Sequence, residues 1–154
     1  VQGAHFSQDT VNLPGFAKFF FESASEERQH AIKIIEYLLM RLELTDDFSS
    51  LISDPKPLAV SWSDGLDALR SALKLEVDVT KMIRNIIAVC EREIPESKRD
   101  QVHLSNYLSG DFLTEQYEGQ RDLAGKISTL AKMNNSHGSL GQFLFDKKLL
   151  FGEV

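Results

Sequence analysis

The sequence predicts an all-α protein built as a single domain over residues 1–154, and three observations predict it. Apolar residues recur at helical spacing over long stretches, proline and glycine gather between those stretches, and no apolar–polar alternation of useful length appears. The first helix starts at Pro14, suited to a first helical turn, and runs to about Met40 with Phe16, Phe20, Ala24, Ala31, Ile34 and Leu38 on one face. A long polar connection follows. It contains Asp54-Pro55-Lys56-Pro57, which cannot continue a helix, and ends at Ser61-Trp62-Ser63-Asp64, where Ser63 or Asp64 caps the next element. The second helix spans about Leu66 to Cys90. The break Ile94-Pro95-Glu96-Ser97 precedes a third helix from about His103 to Lys132, and Gly138-Ser139 introduces a short apolar helix, Leu140 to Leu150.

A chain of 154 residues with 42% apolar and 26% charged residues is long enough to bury a core of its own. Its 17 Lys and Arg against 23 Asp and Glu give a net charge of -6, which argues against nucleic acid or an anionic membrane as partner and suits the attraction of cations. The single cysteine, Cys90, excludes an internal disulfide framework and reads as a small buried hydrophobe. No apolar run approaches the roughly 18 residues of a membrane span, and no signal-peptide pattern opens the chain. The start at Val1, without Met, leads us to expect further sequence upstream.

Three helices place polar side chains where apolar ones belong. On the first, the stripe Phe20, Ala24, Glu27, Ala31, Ile34 contains Glu27, with His30 one turn away. On the second, Leu66, Leu69, Leu73, Glu76, Thr80, Ile83, Ile87 and Cys90 follow three-four spacing around Glu76. On the third, Gln116 takes a core position among Phe112, Gly119, Leu123, Ile127 and Leu130. A buried carboxylate without a cation is so unfavourable that it stays protonated or finds one. Two acids, an imidazole and an amide together suit iron, zinc or manganese, and Glu-x-x-His puts oxygen and nitrogen donors on one helix face. The bland alternative is an edge pair of Glu27 with Arg28 or Lys74. His5, His103 and His137 sit near helix ends and read as surface or capping residues. Asn134-Asn135-Ser136 is a glycosylation sequon expected in a loop, relevant only to a secreted protein.

The wording of the helices adds a resemblance. Phe16-Ala17-Lys18-Phe19-Phe20 followed by Ser25-Glu26-Glu27-Arg28-Gln29-His30-Ala31 resembles the second helix of ferritins. Trp62-Ser63-Asp64-Gly65-Leu66-Asp67-Ala68-Leu69 with Ala72-Leu73-Lys74-Leu75-Glu76 resembles their third. Phe112-Leu113-Thr114-Glu115-Gln116 resembles the fourth, and Leu130-Ala131-Lys132-Met133 with Phe143-Leu144-Phe145-Asp146-Lys147 resembles its last turn and the short fifth helix. Gly3-Ala4-His5-Phe6-Ser7 and Gly119-Gln120-Arg121-Asp122-Leu123-Ala124-Gly125-Lys126 look most like the secreted heavy-type ferritins of insects. The match extends over nearly all 154 residues.

The resemblance implies a ferritin-like four-helix bundle with a short fifth helix, whose first helix belongs ahead of Ala4-His5-Phe6 and is absent from this sequence. Its absence would expose the stripe carrying Glu27 and Glu76, and on its own the chain is expected to fold poorly and oxidise little. The resemblance further implies a di-iron centre within the bundle: Glu27 bridges two irons, His30 completes one site, Glu76 serves the other, and Gln116 orients bound oxygen or water. Fe(II) is then oxidised by O2 and leaves as Fe(III) for a mineral core. Of the cavity-wall positions Glu26, Gln29 and Ile32 only Glu26 is acidic, so nucleation is expected to fall partly to a light-type partner chain. Asn106 and Ser109 replace the acids of the family's three-fold channels, leaving Asp111 or different subunits for iron entry. The apolar helix around Phe143, Leu144, Leu149 and Leu150 is expected at a subunit junction, which in ferritins is the four-fold axis of a twenty-four-subunit cage. Secretory or extracellular residence goes with the insect resemblance, with cytoplasmic residence as the alternative. The rivals to an iron-oxidising enzyme are a non-catalytic structural cage subunit and an unrelated helical adaptor.

Overall fold

The computed structural model describes residues 1–41, 56–57, 59–92 and 100–154. Among them every regular element is helical: α1 (Gln2–Phe6), α2 (Pro14–Met40), α3 (Gly65–Arg92), α4 (Asp100–Tyr107), a π-helical turn (Leu108–Phe112), α5 (Leu113–His137) and α6 (Ser139–Phe151). The expected breaks at Asp54-Pro55 and Ile94-Pro95-Glu96-Ser97 lie outside the described residues, while Lys56 and Pro57 carry no regular structure. The all-α expectation holds, and the bounds of α2 are those read from the sequence. Two features differ. The single turn and a half of α1 is too short to show a period, and the predicted third helix is interrupted. A π turn inserts one extra residue, so the faces before and after it are offset by about 100°. Leu108 and Phe112 bury at either end of this turn, and the Tyr107 ring meets the Phe112 ring edge-on at 5.4 Å.

The chain divides into two compact units, Val1–Trp62 with Gln142–Val154, and Ser63–Gly141. The first is an aromatic cluster. Phe6 of α1 lies 5.2 Å from Phe16 and stacks on Phe20 at 5.7 Å, while Phe16 meets Phe145 of α6 at 5.8 Å. Phe6, Phe16 and Phe145 are essentially without solvent contact. Each such ring removes enough apolar surface from water to contribute about 2–3 kcal/mol. His5 is not a free surface residue, since its ring packs edge-on against Phe6 and Trp62.

The start of α2 has no cap from its own chain neighbourhood: Leu13 precedes Pro14 and makes no side-chain bond. The cap comes from α6, where Asp146, only 1% exposed, accepts the Phe16 amide proton at 3.0 Å. A carboxylate there satisfies an orphan N–H and sits at the positive end of the helix dipole. In return Lys18 of α2 donates to the Leu150 carbonyl near the end of α6 at 3.1 Å. Gly15 permits the approach, because a Cβ at that position would overlap the Asp146 carbonyl oxygen. Leu149 is buried inside this unit, whereas Phe143, Leu144 and Phe151 of α6 remain exposed. Of the helix expected at a subunit junction, Leu149 therefore belongs to the chain's own core.

In the second unit α3 packs along α5, with Ala68, Leu69, Thr80 and Cys90 buried from α3, and Gln116, Leu123 and Leu130 buried from α5. Asp64 caps α3: its Oδ1 accepts from the Asp67 amide at 2.7 Å, and Asp67 Oδ2 accepts from the amide of Ser63, one residue ahead of the cap, at 3.1 Å, a variant of the capping box. Cys90 is buried as expected. The Asn134-Asn135-Ser136 sequon lies within α5, not in a loop, and the Asn134 amide oxygen is buried. Helical backbone and a buried amide both disfavour glycan attachment at Asn134.

Candidate metal centre

The helical spacing of Glu27 and His30 does what three-residue spacing dictates. Both project from one face of α2, and the Glu27 Oε1 atom is 3.7 Å from His30 Nδ1, with side chains 54% and 23% exposed. A carboxylate oxygen and an imidazole nitrogen at that separation form a ready bidentate donor pair for a borderline or hard divalent cation. The stripe carrying Glu27 is open in this chain, as expected for it on its own: Phe20 is buried, but Ala24, Ala31 and Ile34 are exposed alongside Glu27. Spacing marks a face for burial, but burial itself needs an element packed on that face.

In the other unit Glu76 is half-buried on α3 and Gln116 is buried on α5. Thr80 stands between them: its hydroxyl lies 2.9 Å from the Glu76 carbonyl oxygen and 2.9 Å from Gln116 Oε1. Gln120 Nε2 donates to Thr80 Oγ1 at 2.6 Å and reaches the Glu76 carbonyl at 3.5 Å. A polar cluster linked in this way rigidifies the helix pair that holds it. Sequence reasoning missed Gln120 and placed Gly119 on the stripe, whereas Gly119 is exposed and Gln120 faces α3. The available signal was the doubled four-residue spacing, Glu76 to Thr80 and Gln116 to Gln120, which puts each pair on one helix face.

Among the described residues no group of three or more His, Cys, Asp and Glu side chains gathers as a metal cage. The residues present fit iron in kind, as oxygen donors with one nitrogen, and they lie in two units. Glu26, Gln29 and Ile32 are exposed along α2. Asn106, Ser109 and Asp111 are exposed at and beside the π turn, where the Ser109 hydroxyl donates to the Asn106 carbonyl at 3.2 Å. His103 is exposed on α4 and His137 ends α5. No helix among the described residues is long and apolar enough to cross a membrane.

Comparison with known proteins follows the same lines. The profile of the Ferritin family, described as the ferritin-like domain, matches residues 1–133. The chain is 60% identical over 148 residues to the ferritin heavy chain of Trichoplusia ni, covering 96% of this chain and 69% of that protein. It is 52% identical over 147 residues to the ferritin heavy chain of Drosophila melanogaster, covering 96% and 70%. The crystal structure of Trichoplusia ni secreted ferritin superposes with a TM-score of 0.90 at 59% identity, over 99% of this chain and 78% of that one. Profile, sequence identity and superposed fold agree: the chain belongs to the ferritin family, as a homologue of the insect ferritin heavy chains.

Proposed function

We propose that this chain is an iron-oxidising, heavy-type subunit of an iron-storage cage. The observation that carries the reading is the Glu27–His30 donor pair on one face of α2, in a chain that also keeps Glu76 and Gln116 at the heavy-type positions. Iron is the substrate and the cargo. Glu27 bridges two Fe(II) ions, His30 supplies a nitrogen to one, Glu76 supplies oxygen to the other, and Gln116 hydrogen-bonds to what binds beside them. Each of the two Fe(II) ions would give up one electron, O2 would take both electrons with two protons and leave as hydrogen peroxide, and Fe(III) would move on to a mineral core with Glu26 as a nucleating acid.

The same reading puts the subunit in a twenty-four-subunit shell with a light-type partner chain, in the secretory pathway or outside the cell. The support for that residence is the likeness to a secreted ferritin, the one from Trichoplusia ni. Fe(II) added aerobically to the assembled protein tests the enzymatic part through O2 consumption. Glu27→Ala should lower the initial rate at least about tenfold, given the loss of a shared ligand. A Glu27→Ala protein that consumes O2 at the unsubstituted rate leaves the structural cage subunit as the better reading. Light scattering tests the cage, and a stable monomer of the full-length protein would overturn it.

A further inference from the structure

The four polar groups between α3 and α5 have a proton order that follows from which acceptors already have a donor. The Glu76 carbonyl already accepts the helical N–H of residue 80, and Gln120 Nε2 approaches the same oxygen at 3.5 Å. Gln120 also donates to Thr80 Oγ1 at 2.6 Å, so the Thr80 hydroxyl is an acceptor on that side and has one proton to give. Two oxygens lie 2.9 Å from that hydroxyl; the Glu76 carbonyl already has its helical N–H, so the buried Gln116 Oε1 is the acceptor that needs the proton. The chain therefore runs from the Gln120 amide through the Thr80 hydroxyl to the Gln116 carbonyl oxygen. It leaves the Gln116 NH2 group, and not its oxygen, to face any other partner.

We infer that Thr80 and Gln120 are positioning residues that lock the Gln116 side-chain amide in one orientation, making Gln116 a hydrogen-bond donor and excluding its oxygen as a metal ligand. This rests on the iron-oxidising reading for the use made of that donor, but the lock itself is a property of the metal-free protein. Thr80 is 6% exposed and Gln116 7%, so water does not replace a lost partner cheaply, and hydrogen bonds in series polarise one another. With its carbonyl oxygen accepting a proton, the Gln116 NH2 group becomes a stronger donor toward an oxygen atom bound beside it.

Thr80→Val removes the hydroxyl at nearly constant shape, Thr80→Ser keeps it, and Gln120→Glu reverses the order by turning the donor into an acceptor. With Fe(II) and O2, Thr80→Val and Gln120→Glu should each lower the maximal rate about fivefold, the worth of one buried hydrogen bond, with less than about twofold change in the Fe(II) concentration for half-maximal rate. Thr80→Ser should restore most of the rate. In a Gln116→Leu background Thr80→Val should change the rate by less than about 1.5-fold, because the residue it acts through is gone. In the metal-free protein, Thr80→Val should lower Tm by about 2–4 °C with Gln116 present and by less than half of that in Gln116→Leu. An equal rate loss in both backgrounds, or additive Tm shifts, would overturn the inference while leaving the iron-oxidising reading intact. If Glu27→Ala oxidises iron normally, that reading fails and the Tm cycle alone decides whether the lock exists.

Discussion

The junction of α2 with α6 and the junction of α3 with α5 solve opposite problems with similar numbers of buried groups. At the first, Phe6, Phe16, Phe20 and Phe145 bury rings against one another, and the two polar contacts, Asp146 to the Phe16 amide and Lys18 to the Leu150 carbonyl, join helix ends across the contact. At the second, Thr80, Gln116 and Gln120 put polar atoms between two helix sides. The aromatic junction derives its stability from area removed from water and uses polar groups only at unsatisfied helix termini. The polar cluster within the second junction gains little net free energy, since each hydrogen bond replaces one made to water, and gains orientation instead. A contact of the first kind is built to hold, and one of the second kind to aim a side chain.

On that contrast, the largest effect should come from Gly15→Ala. The new Cβ meets the Asp146 backbone carbonyl, which cannot rotate away as a side chain would, so α2 and α6 must separate. A loss of about 3 kcal/mol is expected in denaturant unfolding, the upper end for overpacking. A Gly15→Ala protein of unchanged stability would mean that α6 is not docked there. Asp146→Ala comes next, at about 2 kcal/mol, because it strands the buried Phe16 N–H. Asp146→Asn keeps an accepting oxygen and should lose less than about 1 kcal/mol; equal losses from the two would show that charge, not the cap, matters. The smallest effect belongs to Asp78, in contact with solvent on α3. Its carboxyl is held below the ordinary carboxylate range by a 2.8 Å hydrogen bond from Lys81 and by that lysine's charge. A lowered folded-state value means that the stabilisation is complete above the unfolded-state value and is lost as pH falls through the folded one. Asp78→Asn should therefore have a slightly lower Tm than the unsubstituted protein at neutral pH, and the difference should vanish in acid. A difference that persists in acid would assign the effect to something other than the Asp78 charge.

Much of this was legible in the order of the residues. Pro14 marked the start of α2, Asp64 was one of the two residues read as the cap of α3, and three-four spacing identified the helices that carry Glu27, Glu76 and Gln116. The π turn was not legible, because inserting one residue into a helix leaves composition and average period almost unchanged. Nor was the placing of the sequon within α5, since Asn134-Asn135-Ser136 followed by His137-Gly138 reads locally as a loop while tertiary packing carries the helix through it. The stripe placed Glu27 on a face meant for burial, and the reading of this chain on its own expected that face to be open; its exposure shows that periodicity names the face of a helix but not what covers it.

Local rules therefore decided the helices, their starts and the face on which each candidate ligand stands, since these depend on residues no more than four positions apart. Tertiary structure alone decided that Asp146 caps a helix 130 residues away and that Thr80 and Gln120 close on Gln116. Those contacts depend on how two helices approach, and the free energy of approach comes from buried area summed over many side chains. No single position in the sequence encodes that sum.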